Sequence, residues 1–108
     1  MILCMRNWLK ILLILNPFQV FADEPLKQKK IVVIDAGHGG KDDGARGIKA
    51  KEKDIVLAIS LKLGEYIEKN MQDVDVIYTR KTDVFIPLHQ RAKIANENKA
   101  DIFLSIHV

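Results

Sequence analysis

The sequence predicts an α/β fold built on parallel strands, and three observations carry that reading. "IVVID", residues 31–35, is a continuous β-branched run, the pattern of a strand covered on both faces. Two further strand-like runs, "VDVIYT" at 74–79 and "DIFLSIH" at 101–107, follow at a distance. Each is separated from the strand before it by a stretch with helical periodicity. The order is β-α-β-α-β, and right-handed crossovers make such strands parallel.

The elements follow in order. "DEPLKQKK", residues 23–30, is polar and carries a proline, so it reads as a linker. "AGHGGKDDGARGIKAK" after the first strand is a long glycine-rich loop. From about Lys53 to Asn70 a helix is expected, with Ile55, Ile59, Leu63, Tyr66 and Ile67 as its buried stripe and Val56 beside it. Asp54 suits the first turn of that helix and Asn70 its end. Residues 74–79 alternate Val74, Val76 and Tyr78 against Asp75, Ile77 and Thr79, the pattern of a strand nearer a sheet edge. Pro87 fits the first position of a second helix that runs to about Asn98. That helix is expected to bury Leu88, Ala92 and Ala95, with Ile94 flanking. Three strands and two helices make a thin core for a doubly covered sheet, so residues 31–108 read as the front part of a larger domain, incomplete at the C-terminus.

Ahead of the fold, "MILCMRNWLKILLILNPFQVFA" has Arg6 and Lys10 before a short apolar run, and small residues at Val20 and Ala22. This is the layout of a signal peptide over residues 1–22, cleaved after Ala22, and it places the chain outside the cytoplasm. The run is short for a bilayer span and is interrupted at Asn16-Pro17, so no stable membrane span is expected after cleavage. Cys4, the only cysteine, precedes the apolar run, which is the wrong side for a lipid anchor. Its loss with the leader leaves no disulfide. Cleavage also removes two of the 17 basic residues that face 14 acidic ones. No Lys/Arg cluster interleaved with aromatics remains, so a nucleic-acid partner is not expected.

The chemistry-bearing residues gather at one rim. His38 lies just past the carboxyl end of the first strand, and His107 lies at the carboxyl end of the third. Glu52 opens the first helix, which starts at that same edge. Open parallel sheets bind ligands outside the carboxyl ends of their strands. Two histidines and a glutamate form a recognised Zn2+ set that leaves one position free. Gly37, Gly39 and Gly40 let the backbone turn sharply and keep bulk away from that position. Asp35, Asp42 and Asp43 are also possible ligands, although acidic loops usually face water, and His89 reads as exposed polar surface. The glycine loop does not fit a phosphate site. From Gly37 the dinucleotide pattern needs glycine where Asp42 stands, and no Gly-Lys-Ser/Thr triplet occurs.

Four ordered blocks extend this reading: "IVVIDAGHGGKDDGARG", "KEKDIVLAISLKLGEYI", "VIYTRKTDVFIPLHQRAKIAN" and "ADIFLSIH". Together they resemble the N-acetylmuramoyl-L-alanine amidase family of zinc hydrolases (amidase type 3), over residues 31–108. The resemblance implies an α/β domain with a mixed sheet between helices. It implies cleavage of the amide joining muramic acid to L-alanine in peptidoglycan, with a protein activator as a possible partner. It maps the zinc ligands onto His38, Glu52 and His107, and Arg80 and Arg91 match its recurring arginines, for which structural or loop-positioning roles are expected before substrate ones. The family's catalytic glutamate falls beyond Val108, so no catalytic residue is assigned within these residues. The alternative function is a non-catalytic, zinc-containing module that binds the wall or a partner.

Overall fold

The computed structural model describes residues 25–108, so the expected leader and Cys4 lie outside the described residues. The elements are β1 (Lys30–Ala36), α1 (Glu52–Asn70), β2 (Val74–Tyr78), α2 (Leu88–Glu97) and β3 (Ile102–Ile106). The expected β-α-β-α-β order is observed, with β1 starting at Lys30, one residue inside the expected linker. Residues 25–29 have no regular structure. Among the described residues no helix is long and apolar enough to cross a membrane.

The sheet order is β2-β1-β3 and both pairings are parallel. β1 is therefore central, which is why its apolar run is unbroken: Val32, Val33, Ile34 and Ala36 are all buried, and Asp35 with them. Among the described residues β2 lies at an edge, as its alternating pattern predicts.

Alternation along β1 divides the core into two layers. Val32, Ile34 and Val74 form one cluster, onto which Leu63 and Ile67 of α1 pack together with Val76, Tyr78 and Ile106. The opposite face carries Asp35, which meets Arg91 of α2. The two helices thus sit on opposite sides of the sheet.

The buried faces of the helices differ from the expected ones. α1 buries Glu52, Lys53, Val56, Ser60 and Gly64, whereas Ile55, Ile59 and Tyr66 are exposed. The reason is closeness of approach. Gly64 lies against the Tyr78 ring, where a Cβ would overlap the phenol, so small residues rather than the bulkiest apolar ones face the sheet. α2 buries Arg91 and Ala95, while Leu88 and Ala92 are exposed. Here the inward position is taken by a guanidinium with buried partners. Pro87 is the N-cap of α2 rather than its first helical residue.

β3 has an open outer edge among the described residues, and Ile102, Phe103 and Leu104 are 50%, 43% and 37% exposed. With Ile55 and Ile59 at 39% and 43%, they leave apolar surface of the sheet and of α1 uncovered among the described residues.

Candidate metal centre

The site is built from the backbone outward. β1 ends at Ala36, and the carbonyls of Ala36, Gly37 and His38 meet two guanidinium groups. Arg80 donates to the Ala36 and Gly37 carbonyls at 3.0 and 2.7 Å. Arg91 donates to the Ala36 and His38 carbonyls, both at 2.7 Å. Both arginines are almost fully buried, and each guanidinium presents several donors in a fixed plane. This is the loop-positioning role expected of them. It also stabilises an unusual backbone: His38 has φ 59, in the left-handed region that non-glycine residues seldom occupy. Gly39 and Gly40 follow, also at positive φ.

The second tie is through Lys53, the residue after Glu52. Its ammonium donates to the Gly40 carbonyl at 2.9 Å and to Asp83 at 2.8 Å, and Asp83 accepts from the Gly40 N–H at 2.8 Å. The start of α1 and the loop after β2 are thereby fastened to the same glycine turn.

On this platform three side chains converge. His38 Nε2 lies 3.0 Å from Glu52 Oε1, His107 Nδ1 lies 3.3 Å from the same oxygen, and the two ring nitrogens are 3.2 Å apart. The rings meet edge to face, with centroids 4.9 Å apart. His107 reaches this position because Gly37 has no side chain, since a Cβ there would collide with the imidazole. Glu52 is buried, His38 partly so, and His107 is half exposed, which leaves the cluster open on the His107 side.

Glu52 accepts from the Ala45 N–H at 2.9 Å and from the Val108 N–H at 3.2 Å. These two amides, with His38 and His107, hold its carboxyl down at about 2. His38 is shifted up from 6.5, chiefly by the hydrogen bond from Nδ1 to Asp42 Oδ2.

The residues fit a bound metal. A tetrahedral zinc with bonds of about 2.0–2.1 Å holds its ligand atoms about 3.3 Å apart, close to the separations seen here. An anionic oxygen and two imidazole nitrogens form a suitable donor set.

The structure therefore brings together the three residues the sequence singled out. It separates them from Asp35, Asp43 and His89. Asp35 is buried beneath the loop, accepting from Thr79, Arg91 and Ser105. Asp43 pairs with Arg46, Lys51 and Lys53. His89 is exposed on α2, outside the cluster. Asp42 touches the site through the far side of the His38 ring, a role sequence reasoning missed. The available signal was its four-residue spacing from His38 within a glycine turn.

An open, three-stranded parallel sheet with a His-Glu-His cluster at the carboxyl ends of its strands defines an α/β protein with a candidate metal site. Residues 32–108 match the family model of N-acetylmuramoyl-L-alanine amidase. The chain is 42% identical over 93 residues to N-acetylmuramoyl-L-alanine amidase AmiC of Escherichia coli O6:H1, covering 85% of this chain and 21% of that one. It is 51% identical over 79 residues to an endolysin of Bacillus phage SPP1, covering 73% of this chain and 29% of that one. Among solved structures, the catalytic domain of the amidase CwlV from Bacillus (Paenibacillus) polymyxa var. colistinus aligns with a TM-score of 0.70 at 48% identity, covering 73% of this chain and 45% of that one. The amidase AmiC2 of Nostoc punctiforme aligns with a TM-score of 0.68 at 41% identity, covering 73% of this chain and 43% of that one. The chain belongs to the N-acetylmuramoyl-L-alanine amidase family. It spans less than half the length of these relatives.

Proposed function

We propose that this chain is part of a zinc-dependent hydrolase that cleaves the amide between N-acetylmuramic acid and L-alanine in peptidoglycan, serving wall remodelling and cell separation. The observation that supports this most is the convergence of His38 Nε2, Glu52 Oε1 and His107 Nδ1 in a chain of the amidase family. Those three residues would hold the zinc. A zinc so held supplies Lewis acidity towards an amide carbonyl and lowers the pKa of a water ligand to about 7.

The chain's own residues prepare the site. Glu52 stays anionic because two backbone amides donate to it. The half-exposed side at His107 is where substrate would approach. In this reading residues 1–22 direct export, residues 23–30 are a linker, and residues 31–108 form the front of the catalytic domain, working in the periplasm or wall. A protein activator is a further proposed partner.

A second reading is supported by the carboxylates. Among the described residues, the only other one bonded to either histidine is Asp42, which is already committed to His38 and the Gly44 N–H. No unengaged base then faces the cluster, and these residues alone would form a zinc-bearing wall- or partner-binding module.

Release of dye from labelled sacculi, with zinc and with chelator, tests the first reading. Chelator-sensitive release supports an amidase. Sedimentation with sacculi without release supports the binding module, and neither release nor sedimentation overturns both.

A further inference from the structure

The metal cluster is asymmetric in how its two imidazoles are held. His38 Nδ1 donates to Asp42 Oδ2 at 2.9 Å, while Asp42 Oδ1 accepts from the Gly44 N–H at 3.0 Å. The Asp42 backbone is fixed as well. It exchanges two hydrogen bonds with Gly39, at 2.8 and 3.0 Å. The carboxylate is thus anchored by the turn before it meets the ring. Among the described residues His107 has no such support, because its ring meets only His38 and Glu52, both through Nδ1.

We propose that Asp42 is the positioning residue of this centre, holding His38 in the Nδ1–H tautomer so that Nε2 presents its lone pair to the point shared with Glu52 and His107. An ionised carboxylate can only accept, so the proton of a neutral His38 must sit on Nδ1. The two ring nitrogens point away from each other, and Asp42 occupies the one facing away from the cluster. It therefore acts through His38 and is not a fourth ligand. Carboxylates placed behind ligating histidines fix the tautomer and raise ligand basicity, and losing one typically costs about 10–100-fold in metal affinity.

The metal half of this inference rests on the zinc reading above, whereas the tautomer half does not, so two measurements separate them. The full chain is compared with Asp42→Ala, Asp42→Asn and His38→Ala, with His89→Ala as the control. Nitrogen-15 NMR of the metal-free protein at mildly alkaline pH reads the His38 tautomer. The Nδ1–H form is expected in the parent, and a shift towards Nε2–H in Asp42→Ala. Competition against a chromophoric zinc chelator is expected to show about 10–100-fold weaker binding for Asp42→Ala. Asp42→Asn, which keeps the side-chain shape and an amide acceptor, should fall between that variant and the parent, and it decides the matter if the alanine variant does not fold. Parent-like tautomer and parent-like zinc affinity in the Asp42 variants would overturn the proposal. A parent that binds zinc no better than His38→Ala would overturn the zinc reading, with the tautomer result still deciding what Asp42 does to His38.

Discussion

Arg91 and Asp35 form a buried ion pair, Nη1 to Oδ1 at 2.9 Å, directly beneath the loop that carries His38. The same Nη1 donates to the Ala36 carbonyl, and the same Oδ1 accepts from the Thr79 hydroxyl, so the pair joins β1, α2 and the residue that follows β2. Removing one member of a buried pair strands the other's charge, at a cost of about 3–5 kcal/mol. Stability of a native domain is itself only about 5–15 kcal/mol, and a half-covered sheet has little in reserve. Arg91→Ala is therefore expected to leave the chain largely unfolded by circular dichroism. Arg91→Lys keeps the charge but loses the planar fork, and should lower the denaturation midpoint without abolishing the transition. A parent-like midpoint for Arg91→Ala would show that the loop does not depend on this pair.

Gly37 makes a sharper separation between fold and site. Its backbone is not in the left-handed region, so alanine is conformationally acceptable, yet a Cβ would occupy the space of the His107 ring. Gly37→Ala should keep the parent's circular dichroism and urea midpoint while weakening zinc binding by about 10-fold or more, the scale on which ligand misorientation is felt. Equal losses in stability and affinity would contradict that separation.

How far the sequence revealed this structure depends on which physical signal each element carries. The unbroken run of β1 is the direct consequence of cover on both faces, and it reads correctly. The α1 periodicity is also correct as a helix. The helix is apolar on two flanks, however, and periodicity cannot tell Ile55, Ile59 and Tyr66 from the flank of Val56 that meets the sheet. Ser60 and Gly64 are inside because contact there is close, which hydrophobicity does not report. In α2 the inward residue is Arg91, hidden from any apolar count because its partners are backbone carbonyls and Asp35. The His38, Glu52 and His107 cluster was legible because parallel topology alone carries all three to one rim. Asp42 was not, since an acid in a glycine loop looks solvated until the turn is seen.

Acid and base should act on the metal-free cluster from opposite directions. Glu52 is held at about 2, below its ordinary 4.5, so its contribution to stability is complete above about 4.5 and is lost as pH falls towards about 2. His38 is shifted above 6.5, so its contribution is complete below 6.5 and is lost as pH rises through the shifted value. The cluster therefore favours the metal-free fold most between about pH 4.5 and 6.5. Urea midpoints measured across pH 2–9 in chelator should peak in that window. Glu52→Gln should flatten the acidic limb, and a limb unchanged in that variant would assign it to other carboxylates.

The contact between α1 and β2 offers a test of packing away from the site. Gly64 is buried against the Tyr78 ring, and an added Cβ would overlap the phenol rather than fill a void. Alanine is otherwise the better helix former by about 1 kcal/mol, so propensity alone predicts that Gly64→Ala stabilises the chain. Overpacking a close contact costs about 1–3 kcal/mol, which outweighs that gain. Gly64→Ala should thus lower the urea midpoint, and Gly64→Ala with Tyr78→Phe should recover part of the loss, because removing the hydroxyl opens space where the Cβ points. Zinc affinity should change little in either variant, since Glu52 is three turns away at the start of the helix. If Gly64→Ala instead raises the midpoint, the helix can slide away from β2 at no cost, and closeness of approach is not what places Ser60 and Gly64 inside.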